Sequence, residues 1–157
     1  MFSDFPNSSR LWIYASTRIF DDHELPALRQ SIKEFARQWT SHQVQMRADA
    51  EILHNRFIVL IADESRVGTG GCSIDKSVSF LKGLQAEFET DFFNRMIFSY
   101  IDGYSVKSVS REEFAKLYAD GIIDEHTQVV DTLVSNKEDF DHGFVKLLCE
   151  SWHKRMV

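Results

Sequence analysis

The run Met46-Arg47-Ala48-Asp49-Ala50-Glu51-Ile52-Leu53-His54-Asn55-Arg56-Phe57-Ile58-Val59-Leu60-Ile61-Ala62 decides how this chain is read. Its first half alternates apolar Met46, Ala48, Ala50 and Ile52 with charged Arg47, Asp49 and Glu51, the period of two that marks a strand with one dry and one wet face. Its second half is apolar on both faces, as a strand covered on both sides must be. His54-Asn55 supplies a tight turn between them, so the two form a hairpin whose first strand lies at a sheet edge and whose second is central.

Upstream, Leu11-Trp12-Ile13-Tyr14-Ala15 is a short aromatic and β-branched run bounded by polar residues, and predicts another strand with two apolar faces. Asp21-Asp22-His23-Glu24 resembles a capping box, and Leu25, Leu28, Ile32, Phe35 and Trp39 then recur at helical spacing, with Pro26 tolerated in the first turn. Downstream, Ser73 is placed to cap a second helix carrying Ile74, Val78, Leu81, Leu84 and Phe88. A fourth strand is expected near 94–101. Strand, helix, strand, strand, helix, strand over residues 10–101 is the split βαβ order of a ferredoxin-like α+β sandwich, an antiparallel sheet with two helices on one face.

The other face of that sheet needs cover. Residues 1–101 are therefore read as the ferredoxin-like core, and residues 102–157 as a C-terminal hairpin and helix extension that packs on it or forms a small adjoining module. Within the extension, Asp102-Gly103 signals a hairpin turn leading into a strand at 104–109. Ser110 with Glu113 is a capping box for a helix ended by Gly121, and 127–134 reads as a strand. Phe140, Phe144, Leu147, Leu148 and Trp152 predict a terminal helix, interrupted by Gly143.

Composition narrows the function. The 157 residues suit one domain, and 43% hydrophobic content with thirteen Phe is enough for a sizeable core. Eighteen Lys and Arg against twenty-four Asp and Glu leave a net charge of −6, which opposes sequence-independent attraction to nucleic acid or anionic membrane. The longest apolar runs are far short of a membrane span. Two Cys without a C-x-x-C make no disulfide framework, and Met1-Phe2-Ser3-Asp4-Phe5-Pro6 has neither a basic nor an apolar leader region, so a reducing, cytoplasmic setting is expected.

Asn55-Arg56-Phe57, Gly71-Cys72-Ser73-Ile74-Asp75, Asp91-Phe92-Phe93-Asn94-Arg95 and Ser151-Trp152-His153 together resemble a small family of uncharacterised bacterial proteins, over most of the chain. Members of that family often carry the label "ABC transporter ATPase". The residues here do not fit it: there is no G-x-x-x-x-G-K-[ST], and Gly68-Thr69-Gly70-Gly71-Cys72-Ser73 lacks the lysine that reaches phosphates. Residues 102–134, with Phe114, Leu117, Gly121 and Thr127, are loosely similar to GYF-type peptide-binding modules, without the aromatic signature of their groove.

Two places offer chemistry. Gly70, Gly71, Cys72 and Ser73 lead into a helix N-terminus, where free N–H groups favour an anion or a thiolate, with His42 or His54 as a base. The plainer reading makes the glycines a turn, Ser73 a cap and Cys72 a small buried hydrophobe. The second place is the repeated Asn-Arg: Asn55-Arg56 and Asn94-Arg95 each precede a strand. In the ferredoxin-like order both Arg emerge at one end of the sheet and form a clamp for a carboxylate or phosphate. Alternatively each Arg pairs with a local acid, Asp91, Glu64 or Asp21. Cys149 and His153 have metal-ligand spacing without a second pair, so no metal and no cofactor is expected.

The sequence thus supports a non-enzymatic binding or scaffold protein whose partner is another protein or a small anion, with residues 46–53 as an edge for a partner strand or a second copy. The alternatives are a small-anion receptor and a thiol enzyme or sensor built on Cys72.

Overall fold

In the computed structural model, which describes residues 1–157, His54 and Asn55 both take positive φ, 53° and 54°, and Arg56 N–H donates to Leu53 O at 3.0 Å. With Leu53 paired to Phe57, the connection is the three residues His54, Asn55 and Arg56, a short hairpin loop. The elements in chain order are β1 (Arg10–Ala15), α1 (Leu25–Gln38), β2 (Thr40–Ser41), β3 (Val44–Gln45), β4 (Arg47–Leu53), β5 (Phe57–Asp63) and α2 (Gly71–Phe88). Then come β6 (Ile97–Asp102), β7 (Ser105–Ser110), α3 (Arg111–Ala119), β8 (Gln128–Val130), α4 (Lys137–Gly143) and β9 (Val145–Leu147), and two short 3₁₀ turns close the chain. The protein is α+β, with antiparallel sheets.

The strands form a three-stranded sheet in the order β1-β5-β4, a small β2-β3 ribbon, and a four-stranded sheet in the order β7-β6-β8-β9. As the sequence predicts, β4 is an edge and β5 is central and buried along its whole length. The four-strand ferredoxin-like order does not form. The strand expected beside β1 is β6; it makes the expected hairpin with β7, from Ile97↔Ser110 to Asp102↔Ser105, but its other edge is taken by β8 at Tyr100↔Val129 and not by β1. The tight turn through Gly103, at φ 64°, fixes the β7 side, and Val129 of β8, fully buried with Phe98, Tyr100 and Phe114, fills the side that β1 would have taken. The consequence is that β1 is an edge, not a central strand.

Three apolar clusters hold the layers together. Ile58, Leu60 and Ala62 pack with Leu28, Ile32 and Trp39 and with Leu81, Leu84 and Phe88 under α1 and α2. The opposite face of β5, Phe57, Val59 and Ile61, meets Val106, Val130, Val134, Phe140 and Phe144 of the C-terminal half, with Phe2. Phe98, Tyr100, Phe114, Ile123, Val129 and Leu148 fill the space beneath α3. Trp39, 2% exposed, donates its indole N–H to Ser73 O at 2.9 Å and so ties the two long helices together.

Local signals are largely met. Asp21 Oδ1 accepts from Glu24 N–H and Glu24 Oε1 from Asp21 N–H, each at 3.1 Å, the reciprocal pattern of a capping box. Ser110 Oγ accepts from Glu113 N–H at 3.2 Å to start α3, and Gly121 at φ 73° follows its end. Two local expectations are corrected. Ser73 is not the cap of α2, which starts at Gly71 behind Gly70; its hydroxyl instead donates to Thr40 O at 2.7 Å. The terminal helix is replaced by the seven-residue α4, by β9 and by 3₁₀ turns. Its apolar stripe is shared between two clusters, Phe140 and Phe144 facing β5 and Leu148 facing α3, which one straight helix cannot do.

Candidate functional site

Because β6 departs from β1, a groove of about 600 Å³ opens between the two sheets. Its walls are β1 from Leu11 to Ala15, the connection and strand start from Phe92 to Phe98, the segment from Thr132 to Ser135, and Arg111, Trp152 and Met156. That volume lies within the range of sites that hold small molecules or peptide side chains. Most of the lining is apolar, and its charged residues are Arg95 and Arg111 alone. Met96 and Leu133, 47% and 67% exposed, project apolar surface beside it. Tyr14 meets Phe93 edge-on at 5.6 Å, and Phe98 meets Trp152 edge-on at 5.4 Å, so both walls are stiffened by aromatic contacts.

The backbone of β1 gives this groove a polar side. Ser16 N–H donates to Arg56 O at 2.9 Å, so the even-numbered residues of β1 turn their hydrogen-bonding groups toward β5. The odd-numbered ones face away. There Ser9 O accepts from Lys137 N–H, Leu11 N–H donates to Ser135 O, both at 2.9 Å, and Thr17 N–H donates to Asp91 O at 3.0 Å. Between these ends the edge at Ile13 and Ala15 has no strand beside it.

The repeated Asn-Arg is split by the same topology. Asn94 and Arg95 line the groove, whereas Asn55 and Arg56 do not. Asn94 Oδ1 accepts from Met96 N–H at 3.0 Å and shapes the turn into β6, and the Arg95 side chain is exposed with no acid partner. Arg56 is buried, 6% exposed, again without an acid partner, and its Nε lacks any hydrogen bond. Burial pulls its pKa below the ordinary arginine value. A joint clamp needs β1 flanked by both strands, and that arrangement is absent.

The Gly-Cys loop lies at the other end of β5 from the His54-Asn55 turn, which removes His54 as a base for Cys72. Gly70 precedes α2, and a Cβ there would meet His42 Nε2 at 3.3 Å, so glycine allows the imidazole to lie against the loop. Gly71 and Cys72 are exposed, while Ser73 is buried in its bond to Thr40. Thr69 N–H donates to Glu64 Oε2 at 2.6 Å, which puts a carboxylate close to the turn an anion would occupy.

Near the C-terminus a second hollow, about 520 Å³ and polar, is lined by residues including Asp131, Asp139, His142, Lys146 and Glu150. Burial pushes the Asp131 pKa up, but hydrogen bonds from Lys146 Nζ at 2.7 Å and the Trp152 indole at 2.9 Å outweigh it and leave the pKa lowered. His153 is 1% exposed, with its ring stacked on Trp152 at 3.7 Å and Nδ1 2.6 Å from Ser151 Oγ. Burial drives its pKa down to about 4. Cys149 and His153 sit in separate 3₁₀ turns. No group of three or more His, Cys, Asp or Glu residues is gathered to hold a metal ion.

No helix is long and apolar enough to cross a membrane. Comparison with family models, with curated proteins and with solved structures finds no match. The class that the fold defines is thus an α+β protein of three antiparallel sheets, with an apolar groove between the three-stranded and the four-stranded one. Reading the residues in order misses Met96, Arg111, Leu133 and Trp152 as site residues. Each belongs to a different segment, and no spacing in the chain links them.

Proposed function

We propose that this chain is a non-enzymatic binding protein whose ligand seats in the groove between β1, Phe92–Phe98 and Thr132–Ser135. The observation that carries this reading is the combination of an apolar lining with a strand edge left open at Ile13 and Ala15 and with two arginines. A concave apolar site with few polar groups suits recognition, in which burial supplies affinity and the polar groups set orientation.

The test uses Met96 and Leu133, both exposed and therefore tolerant of charge. The double variant Met96→Glu, Leu133→Glu should fold as the parent does and lose the partners that the parent retains from a lysate of the source cell, read by quantitative mass spectrometry. An identical set of partners on both proteins would refute the reading.

A second reading, a thiol sensor or anion receptor at the start of α2, is favoured by the exposed Cys72 and by the His42 ring against Gly70. It predicts that iodoacetamide modifies native Cys72 faster than the half-buried Cys149, and that His42→Ala slows Cys72 alone. An unchanged rate in that variant would remove His42 from any role there.

A further inference from the structure

The outer edge of β1 is paired at both ends and open in the middle. Lys137 and Ser135 hold it at Ser9 and Leu11, Asp91 holds it at Thr17, and between them the N–H and C=O groups of Ile13 and Ala15 face the groove without protein partners. Such a row of alternate donors and acceptors is a template for one more strand. A lipid chain or a flat aromatic ligand would fill the apolar space but leave these groups unpaired, a cost that an extended peptide avoids. Ser135 and Asp91 close the two ends of the gap, and Phe92–Met96 and Thr132–Ser135 line the groove beside it, so only a short length of edge is on offer. Leu11 and Thr17 are taken by Ser135 and Asp91, so the open stretch is Trp12 to Ser16, roughly 17 Å at about 3.4 Å per residue, the length of about five residues.

Charge narrows the occupant. Arg111 N–H donates to Met96 O at 3.0 Å, which places Arg111 next to the residue that follows Arg95. Both are exposed, neither makes an ion pair, and no acid lines the groove, although the chain as a whole carries a charge of −6. Planar guanidinium forks at the lip of an apolar groove match carboxylates.

We propose that the groove receives a short extended segment of an acidic partner protein, which completes the β1 edge by strand addition at Ile13 and Ala15 and sets a carboxylate against Arg95 and Arg111. The proposal rests on the groove being the ligand site, and the experiment separates the two. A phage library of random linear nine-residue peptides is selected on the full chain, and the enriched peptides are synthesised and studied by fluorescence anisotropy and by amide hydrogen exchange.

The expected peptides carry alternating apolar residues beside Asp or Glu. Their binding protects the Ile13 and Ala15 amides and leaves those of Trp12 and Tyr14, already paired with β5, unchanged. Arg95→Glu with Arg111→Glu weakens binding by roughly ten-fold or more, while the two Arg→Lys changes weaken it less. Methylating alternate peptide nitrogens abolishes it. Peptides that bind the groove without protecting Ile13 and Ala15, or oleate filling it with those amides still exchanging, would overturn strand addition and leave the groove as a ligand site. Enriched peptides unaffected by Met96→Glu, Leu133→Glu would overturn both, as would failure to enrich any. Sedimentation showing a dimer that protects the same two amides without peptide would assign the gap to a second copy and overturn the acidic partner.

Discussion

His153 shows how far one residue's surroundings can move its chemistry. Its imidazole is enclosed by Phe98, Phe114 and Trp152, and burial lowers its pKa from 6.5 to about 4, with nearby Asp131 opposing the shift and Lys146 adding to it. The unfolded chain takes up this proton near pH 6.5 and the native protein does not until near pH 4. The stability contributed by a neutral His153 is therefore complete above about 6.5 and is lost as the pH falls toward 4, on the order of 3 kcal/mol at about 1.4 kcal/mol per unit. Urea unfolding at pH 7 and at pH 4.5 should show a smaller loss for His153→Leu than for the parent. Equal losses would mean that the ring is protonated in the native state.

At the scale of elements, β5 is the strand on which the others depend. It pairs with β1 and β4 and supplies side chains to two clusters, Leu60 to the helical one and Val59 to the other. Truncating Leu60, fully buried, should cost about 2–5 kcal/mol, the range for a leucine cavity that closes only in part. Ser110→Ala removes only the hydroxyl cap of α3 and should cost about 1 kcal/mol. Both are read from denaturant midpoints, and a Leu60→Ala cost no larger than that of Ser110→Ala would contradict the central place of β5. The edge strand β4 differs: Lys33 reaches Asp49 at 2.9 Å and Glu51 at 3.2 Å, and Arg29 also pairs with Glu51. Its charged side chains are engaged by α1 and its Ala50 N–H by Asp49 Oδ1 at 2.8 Å, but β4 remains an edge of the first sheet, as β1 is.

For the molecule as a whole, the two halves share a core. Phe57, Val59 and Ile61 are completely buried because Val106, Val130, Val134, Phe140 and Phe144 cover them. Separating the halves would expose this face, so the chain should unfold in one transition, with calorimetric and van't Hoff enthalpies equal. Two resolved transitions would show that residues 102–157 are stable on their own. The groove belongs to this scale as well, because its walls come from both halves and vanish if either shifts.

The hairpin over residues 46–62, the two long helices, the Gly103 turn and the Ser110 cap were legible in the chain because each is local: periodicity, turn chemistry and caps act between residues a few positions apart. Asn94 and Arg95 were likewise legible as unusual, though not as part of this groove. Partnership between distant strands was not legible. The edge of Ile97–Asp102 that β7 leaves free is equally able to take β1 or β8, and its residue pattern is the same in both; burial of Val129 with Phe98, Tyr100 and Phe114 selects β8. That one choice made β1 an edge, separated Arg56 from Arg95 and opened the groove, since a site built from five remote segments exists only once the chain has decided which strands are neighbours.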